Sequence, residues 1–336
     1  MAHLVKKFAA CGAMAIALSS CATFSKSDKT SDKGTSEPSI TDAGQSPEQS
    51  PALEQVPTQT SAIIKAGRPA MWRVTDPDSE IFLFGTFHVL PPNIEWTSAA
   101  FDAAMKGSET TIIEADTSSP LAADAIRNAV GKFGLNPPGV TLTETLGEER
   151  AKKFTALATE LGAPMSALEP MRPWLALISL TQVVFQKSGF DPTEGVEAAV
   201  LEQAALEGDS IDYFETAAEQ IELLASLDGD DMLANFDTTI DQFADFDAIT
   251  ARLLEAWHLG DIEGIEEDII NPLRETSPGA YELLFAQRNT SWTNRIEEIM
   301  AGKGDYFIAV GAGHLVGDDS VVNMLRTKGY AIERVQ

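Results

Sequence analysis

Tyr306-Phe307-Ile308-Ala309-Val310-Gly311-Ala312-Gly313-His314 is a short apolar run that stops at glycine and delivers a histidine. Ile81-Phe82-Leu83-Phe84-Gly85-Thr86-Phe87-His88 repeats the design near the other end of the folded region. Both runs have the length and the aromatic and β-branched content of buried strands. Glycine lets a chain leave a sheet by conformations that other residues avoid, and ligands of α/β sheets gather at the carboxyl ends of strands. Two Gly-x-x-His turns in matching strand contexts therefore predict an α/β fold with both histidines in one cleft.

Working outward, residues 71–74 and 81–84 form a hairpin across Asp76-Pro77-Asp78-Ser79. A helix over 98–105 and a buried strand over 110–114 follow, and the strand ends in Glu114 and Asp116. Beyond His314 come a helix near 316–326 and a last strand over 331–335. The long middle is mainly helical, with amphipathic stretches over 149–161, 174–185, 196–206, 217–227 and 281–300. No second linker interrupts residues 68–336, which read as one domain.

The N-terminal region is different in kind. Lys6 and Lys7 precede an apolar run ending at Leu18, then Ser19, Ser20 and Cys21. At roughly 11 residues the run falls short of the roughly 20 that span a bilayer, and its basic start and small-residue exit mark a cleaved export signal. Leu18-Ser19-Ser20-Cys21 resembles a bacterial lipobox, in which Cys21 takes the lipid; the alternative is an ordinary secretory signal cut after Ala22. Ala22 after the cysteine points to an outer-membrane lipoprotein facing the periplasm. Residues 1–20 are thus the expected signal and 21–67 a lipidated, disordered linker rich in Ser, Thr, Pro and Gln. Its reach is roughly 35–40 Å for about 46 flexible residues.

The two cysteines are Cys11 and Cys21, so the folded domain has no disulfide, no Cys-ligated metal and no thiol nucleophile. A formal charge of −27 repels polyanions, which excludes nucleic acid as an expected partner. Attachment to a membrane falls to the lipid anchor. The acidic stretch 188–251, free of Lys and Arg, reads as solvated helix faces. Asp228-Gly229-Asp230-Asp231 lacks the spacing of a calcium loop.

Of the four histidines, His3 lies in the signal, leaving His88, His258 and His314. Glu114 emerges from a buried apolar strand, which is costly without a cationic or metal-bound partner. Asp116 reads as a helix cap or loop residue, and His258 as a helix-end residue explained by the helix dipole. Gly311-x-Gly313-x-x-x-Gly317 with Glu333 mimics a dinucleotide fingerprint, but too little chain follows for the βαβ units such a domain needs.

Five short segments then combine: Phe84-Gly85-Thr86-Phe87-His88-Val89-Leu90-Pro91, Thr111-Ile112-Ile113-Glu114-Ala115-Asp116, Met171-Arg172-Pro173-Trp174, Arg288-Asn289-Thr290-Ser291-Trp292 and Gly311-Ala312-Gly313-His314-Leu315-Val316-Gly317. In this order they resemble the landmarks of the TraB/GumN family, itself similar to the TIKI metalloproteases and, more distantly, to erythromycin esterases and ChaN proteins. The resemblance implies a mixed β-sheet flanked by helices, with His88, Glu114 and His314 in the active site and Arg288 and Asn289 beside them. Glu197 departs from the Asp common in the family at that position. The expected activity is metal-assisted hydrolysis, of peptide bonds, with His88, Glu114 and His314 as N/O ligands of Mn, Co or Zn and an open position for water. Arg288 would stabilise an oxyanion or hold a substrate carboxylate. A metal-free form with a histidine as general base stays open. So does a non-catalytic protein that sequesters a peptide, haem or metal.

Overall fold

A computed structural model of the protein describes residues 67–336. The expected signal, Cys21 and the linker up to residue 66 lie outside them. Six strands form one mixed sheet: β1 (Met71–Thr75), β2 (Ser79–Thr86), β3 (Thr110–Ala115), β4 (Ser210–Glu215), β5 (Gly304–Gly311) and β6 (Ala331–Arg334). Their order across the sheet is β4-β3-β5-β2-β1-β6. β2, β3, β4 and β5 are mutually parallel neighbours, and β1 runs antiparallel to both β2 and β6. The α/β class and the mixed sheet flanked by helices agree with the sequence reading.

Strand alternation divides the core in two. Phe84, Ile113, Phe307 and Ala309 face the larger core, built with the helical middle of the chain. Ile81, Leu83, Ile112, Ile308 and Val310 face a smaller one. That smaller core is closed by Trp292, Ile296 and Met300 of the helix Gln287–Met300 and by Val321, Val322 and Leu325 of the helix Val321–Thr327. Both faces being covered explains why β2 and β5 read as nearly continuous apolar runs.

Three elements differ from the sequence reading. β4 was not expected, because Ser210-Ile211-Asp212-Tyr213-Phe214-Glu215 carries two carboxylates and sits at the sheet edge with partly exposed side chains. The stretch 281–300 is not one regular helix: a π turn, Glu282–Ala286, precedes the helix Gln287–Met300. The helix placed at 316–326 starts only at Val321, because Ala312–Leu315 is a tight 3-10 turn that seats His314. Among the described residues no helix is long and apolar enough to cross a membrane.

Candidate functional site

The four parallel strands end side by side, and each end supplies part of one polar cluster. Glu215 closes β4, Glu114 is the penultimate residue of β3, β5 runs through Gly311 into the His314 turn, and β2 runs through Thr86 to His88. A methyl group at the Cβ position of Gly311 would lie 3.0 Å from Glu114 Oε1, 3.5 Å from His88 Nε2 and 3.6 Å from His314 Cδ2. His88, Glu114 and His314 therefore meet around the α-carbon of Gly311. Gly311 has φ −48° and ψ 132°, a conformation open to any residue. The glycine is required by space, not by backbone freedom, which corrects the sequence argument for these turns.

Arg288 organises the charge. Its Nε and Nη2 donate to the two oxygens of Glu215 at 2.7 and 3.0 Å, and Nη2 also donates to Glu114 Oε2 at 2.8 Å. Nη1 donates to the Leu284 carbonyl at 3.3 Å and to His314 Nε2 at 3.1 Å. All five guanidinium hydrogens are thus engaged within the protein. The expected oxyanion or substrate-carboxylate role would require Arg288 to release one of these partners. In the structure it holds Glu114, Glu215 and His314 in place. The π turn positions that Leu284 carbonyl, a common use of such turns near functional sites.

Glu114 is saturated: Oε1 accepts from the Gly311 amide at 2.7 Å, and Oε2 from Arg288 and, at 3.5 Å, from Gln220. Burial favours its neutral acid, but Arg288, the histidines and the Gly311 amide outweigh burial and hold its pKa far below the carboxylate range. It is a fixed anion.

His314 lies between Phe285 and Trp292, with ring centroids 4.8 and 4.4 Å away. Its Nδ1 is 2.6 Å from Asn289 Oδ1, while Asn289 Nδ2 donates to the Asp319 carbonyl at 2.7 Å. The amide orientation assigns the proton to Nδ1, leaving the Nε2 lone pair to accept from Arg288. Burial first, then the Arg288 charge, lower its pKa to about 3. Glu114 Oε1 is 3.7 Å from Nε2 and only partly opposes this.

His88 is buried too, yet its pKa is raised. The burial penalty is overcome by Glu197, whose Oε1 is 2.5 Å from His88 Nδ1, with help from Glu114. Thr86 Oγ1 donates to the same Glu197 oxygen. Glu197 is the second residue of the helix Val196–Glu207, and the Val196 amide donates to the Phe87 carbonyl at 3.1 Å. A Cβ on the preceding Gly195 would lie 2.1 Å from the His88 carbonyl oxygen, so glycine is what lets this helix press on the His88 turn.

Sequence reasoning named His88, Glu114, His314, Arg288 and Asn289, and the structure brings all five together. It missed the part played by Glu197, together with Glu215, Gln220 and Phe285. Asp116 accepts from the amides of Ser118 and Ser119 at 3.2 and 3.0 Å, the expected loop role. His258 packs against Gly67, and its Nε2 is 2.8 Å from the Glu95 carbonyl, outside the cluster. Among the described residues, no three His, Cys, Asp or Glu side chains stand ready as metal ligands. A cavity of about 380 Å³ is walled by Leu177, Met232, Leu273, Leu283 and Leu284, the last of which also offers its carbonyl to Arg288.

The profile of the TraB/PrgY/gumN family matches residues 70–334, from the first strand to the last. The chain belongs to this family. It is 26% identical over 257 residues to "Uncharacterized protein YbaP" of Escherichia coli (strain K12), covering 75% of this chain and 90% of that protein. It is 26% identical over 247 residues to the protein of the same name from Shigella flexneri, covering 73% and 87%. A more local likeness, 35% over 81 residues, is to "Metalloprotease TIKI homolog" of Amphimedon queenslandica, covering 23% of this chain and 13% of that protein. No solved structure gives a significant match.

Proposed function

We propose that this TraB/PrgY/gumN family member is a hydrolase of peptide bonds at the cell envelope, with its reacting centre in the space bounded by His88, Glu114 and His314. The observation that carries this reading is the common orientation of the two imidazoles. Each is held at Nδ1 by an acceptor, Glu197 or Asn289, so that Nε2 is turned to the space beside Glu114. Metal-binding histidines are oriented in the same way. Their N and O donors suit Mn, Co or Zn, provided that Arg288 Nη1 releases His314 Nε2. His88, Glu114 and His314 would hold the ion, which would supply Lewis-acid polarisation and a more acidic water. The local likeness to a TIKI metalloprotease homolog is of the same chemical class.

The chain's own groups divide the remaining work. Without an ion, Glu197 stabilises the imidazolium of His88, which suits His88 to take a proton at Nε2 and return it to a leaving group; with an ion held there, that nitrogen would be a ligand instead. His314 stays neutral, and Glu114 stays charged. A metal-free form of the same hydrolase is favoured by one observation: Arg288 already pairs with Glu114 and occupies His314 Nε2, two of the three positions an ion would need.

The test uses protein stripped with a chelator, reloaded separately with Mn, Co or Zn, and incubated with a peptide library read by mass spectrometry. Cleavage is expected, lost in His88→Ala and strongly reduced in His314→Ala, the double variant being no worse than the more severe single one. Restoration by one ion selects the metal-assisted form, and cleavage that persists in chelator selects the general-base form. Saturable binding of peptide or haem without cleavage under any ion would refute the hydrolase reading in favour of sequestration.

A further inference from the structure

The cavity of about 380 Å³ in the helical middle of the chain takes no part in the cluster chemistry. Its floor is Leu177, Leu273 and Leu284, all buried, and its rim includes Ser226, Gly229 and Pro278, all exposed, so it opens to solvent. Native interiors leave few voids larger than a water molecule, and an apolar cavity of about 150 Å³ already takes benzene. This one has room for a two-ring group. None of the residues that line it is charged, in a chain with 51 Asp and Glu and 24 Lys and Arg. Three of its hydroxyls donate within the protein: Ser226 to the Leu223 carbonyl, Thr239 to that of Asn235 and Thr276 to that of Pro272. The Asn235 amide donates to Ser277 Oγ at 3.2 Å. An occupant is therefore held by apolar contact and is uncharged where it enters.

Two elements carry the cavity and the cluster together. The Leu284 of the floor offers its carbonyl to Arg288 Nη1, which also donates to His314 Nε2. The helix Ala217–Ser226 sets Gln220 against Glu114 and ends with Ser226 in the cavity wall. At about 1.5 Å of rise per residue, positions 220 and 226 stand about 9 Å apart along the axis, the reach of about two or three extended peptide residues. Arg172, which precedes the helix Pro173–Lys187 that brings Leu177 to the floor, lies 3.6 Å from Asp228, between Leu227 and Gly229 of the wall. The segment Met171-Arg172-Pro173-Trp174, which the cluster leaves unexplained, thus helps to build this cavity. We propose that the cavity is the specificity pocket for a large apolar side chain, aromatic in class, carried by a peptide about two or three residues from the reacting bond. The proposal rests on the peptide-hydrolase reading and names its substrate class.

The experiment uses the uncharged two-ring fluorophore N-phenyl-1-naphthylamine and hexa-alanine amides carrying one Trp or one Lys at the third or fourth position. The fluorophore should bind the wild-type protein, and a Trp peptide should displace it at roughly 10–100-fold lower concentration than hexa-alanine, the effect of burying one large apolar side chain. Lys at the same place should bind no better than Ala, although a formal charge of −27 favours a cation elsewhere on the surface. Gly229→Trp should abolish fluorophore binding by filling the mouth, because its φ of −159° suits any residue and a Cβ there meets nothing within 4 Å. Absence of fluorophore binding, or binding unchanged in Gly229→Trp, overturns the proposal. Equal affinity for the Trp, Lys and Ala peptides does the same and needs no variant to fold. Where peptides are cut, the bond should lie about two or three residues from Trp and follow it when Trp moves by one position. A cut that ignores Trp overturns the pocket and leaves hydrolysis standing. Trp preference without any cut refutes hydrolysis and upholds the cavity as a side-chain site.

Discussion

His88 and His314 leave the sheet on adjacent parallel strands, both buried and both tied at Nδ1, yet one has its pKa raised and the other has it lowered to about 3. The difference lies in what each nitrogen meets. His88 has a carboxylate, Glu197, on Nδ1. His314 has a neutral amide, Asn289, on Nδ1 and a guanidinium on Nε2, and two aromatic rings exclude water from it. Two copies of one short motif thus have their pKa values pushed in opposite directions by residues from other elements. Neighbouring titratable groups with pKa values pushed apart are how sites separate a proton carrier from a fixed partner.

The largest way to break the contrast is to remove Arg288. Arg288→Met leaves Glu114 and Glu215 without their cation, and the loss of stability should be at least roughly 3–5 kcal/mol, read from urea unfolding. Without the guanidinium, the His314 resonance in a proton NMR titration should also move toward the ordinary histidine range. Wild-type stability with Arg288 removed would deny it the role of hub.

Acid should expose the contrast next. His314 is protonated when unfolded below its ordinary value of 6.5 but stays neutral in the fold down to about 3, so its contribution is full above 6.5 and lost as pH falls through that window. Glu114, with its pKa depressed, adds a loss in the same direction below its ordinary 4.5. His88 has the opposite sign: its contribution is full below 6.5 and is lost as pH rises through its elevated folded pKa. His314 accounts for at most roughly 5 kcal/mol of the fall below 6.5, where the His88 contribution is already full and does not offset it. Chelator-treated protein should lose stability from pH 6.5 toward 3. Asn289→Asp, which places a carboxylate on His314 Nδ1, should flatten that fall and make the two histidines titrate alike. A flat pH profile in the wild type would refute the neutral assignment of His314.

The smallest effect sharpens the other side. Glu197→Gln keeps a side chain on His88 Nδ1 but removes its charge, which should lower the His88 pKa and cost about 1–2 kcal/mol at pH 6. Cleavage should fall in proportion to the lost basicity while His314 is undisturbed. An unshifted His88 titration would show that Glu197 does not set its charge.

Local pattern was enough for several conclusions. Apolar runs ending in Gly-x-x-His placed β2 and β5, a carboxylate at the end of Thr111-Ile112-Ile113-Glu114 marked a buried charge needing a partner, and the amphipathic stretches located most of the helices. These are short-range signals, carried by residues a few positions apart. The order β4-β3-β5-β2 that aligns Glu215, Glu114, Gly311 and His88 is a matter of long-range pairing, and β4 is invisible to a pattern search because an edge strand tolerates polar side chains. Glu197 stands 109 positions from His88, and Arg288 stands 174 from Glu114. A pKa depends on burial and on charges a few ångströms away, quantities that exist only once the chain has folded. The sequence by itself determined which residues are able to do chemistry; the tertiary structure decided which imidazole is the more basic, because their carboxylate, amide and guanidinium neighbours arrive from other elements.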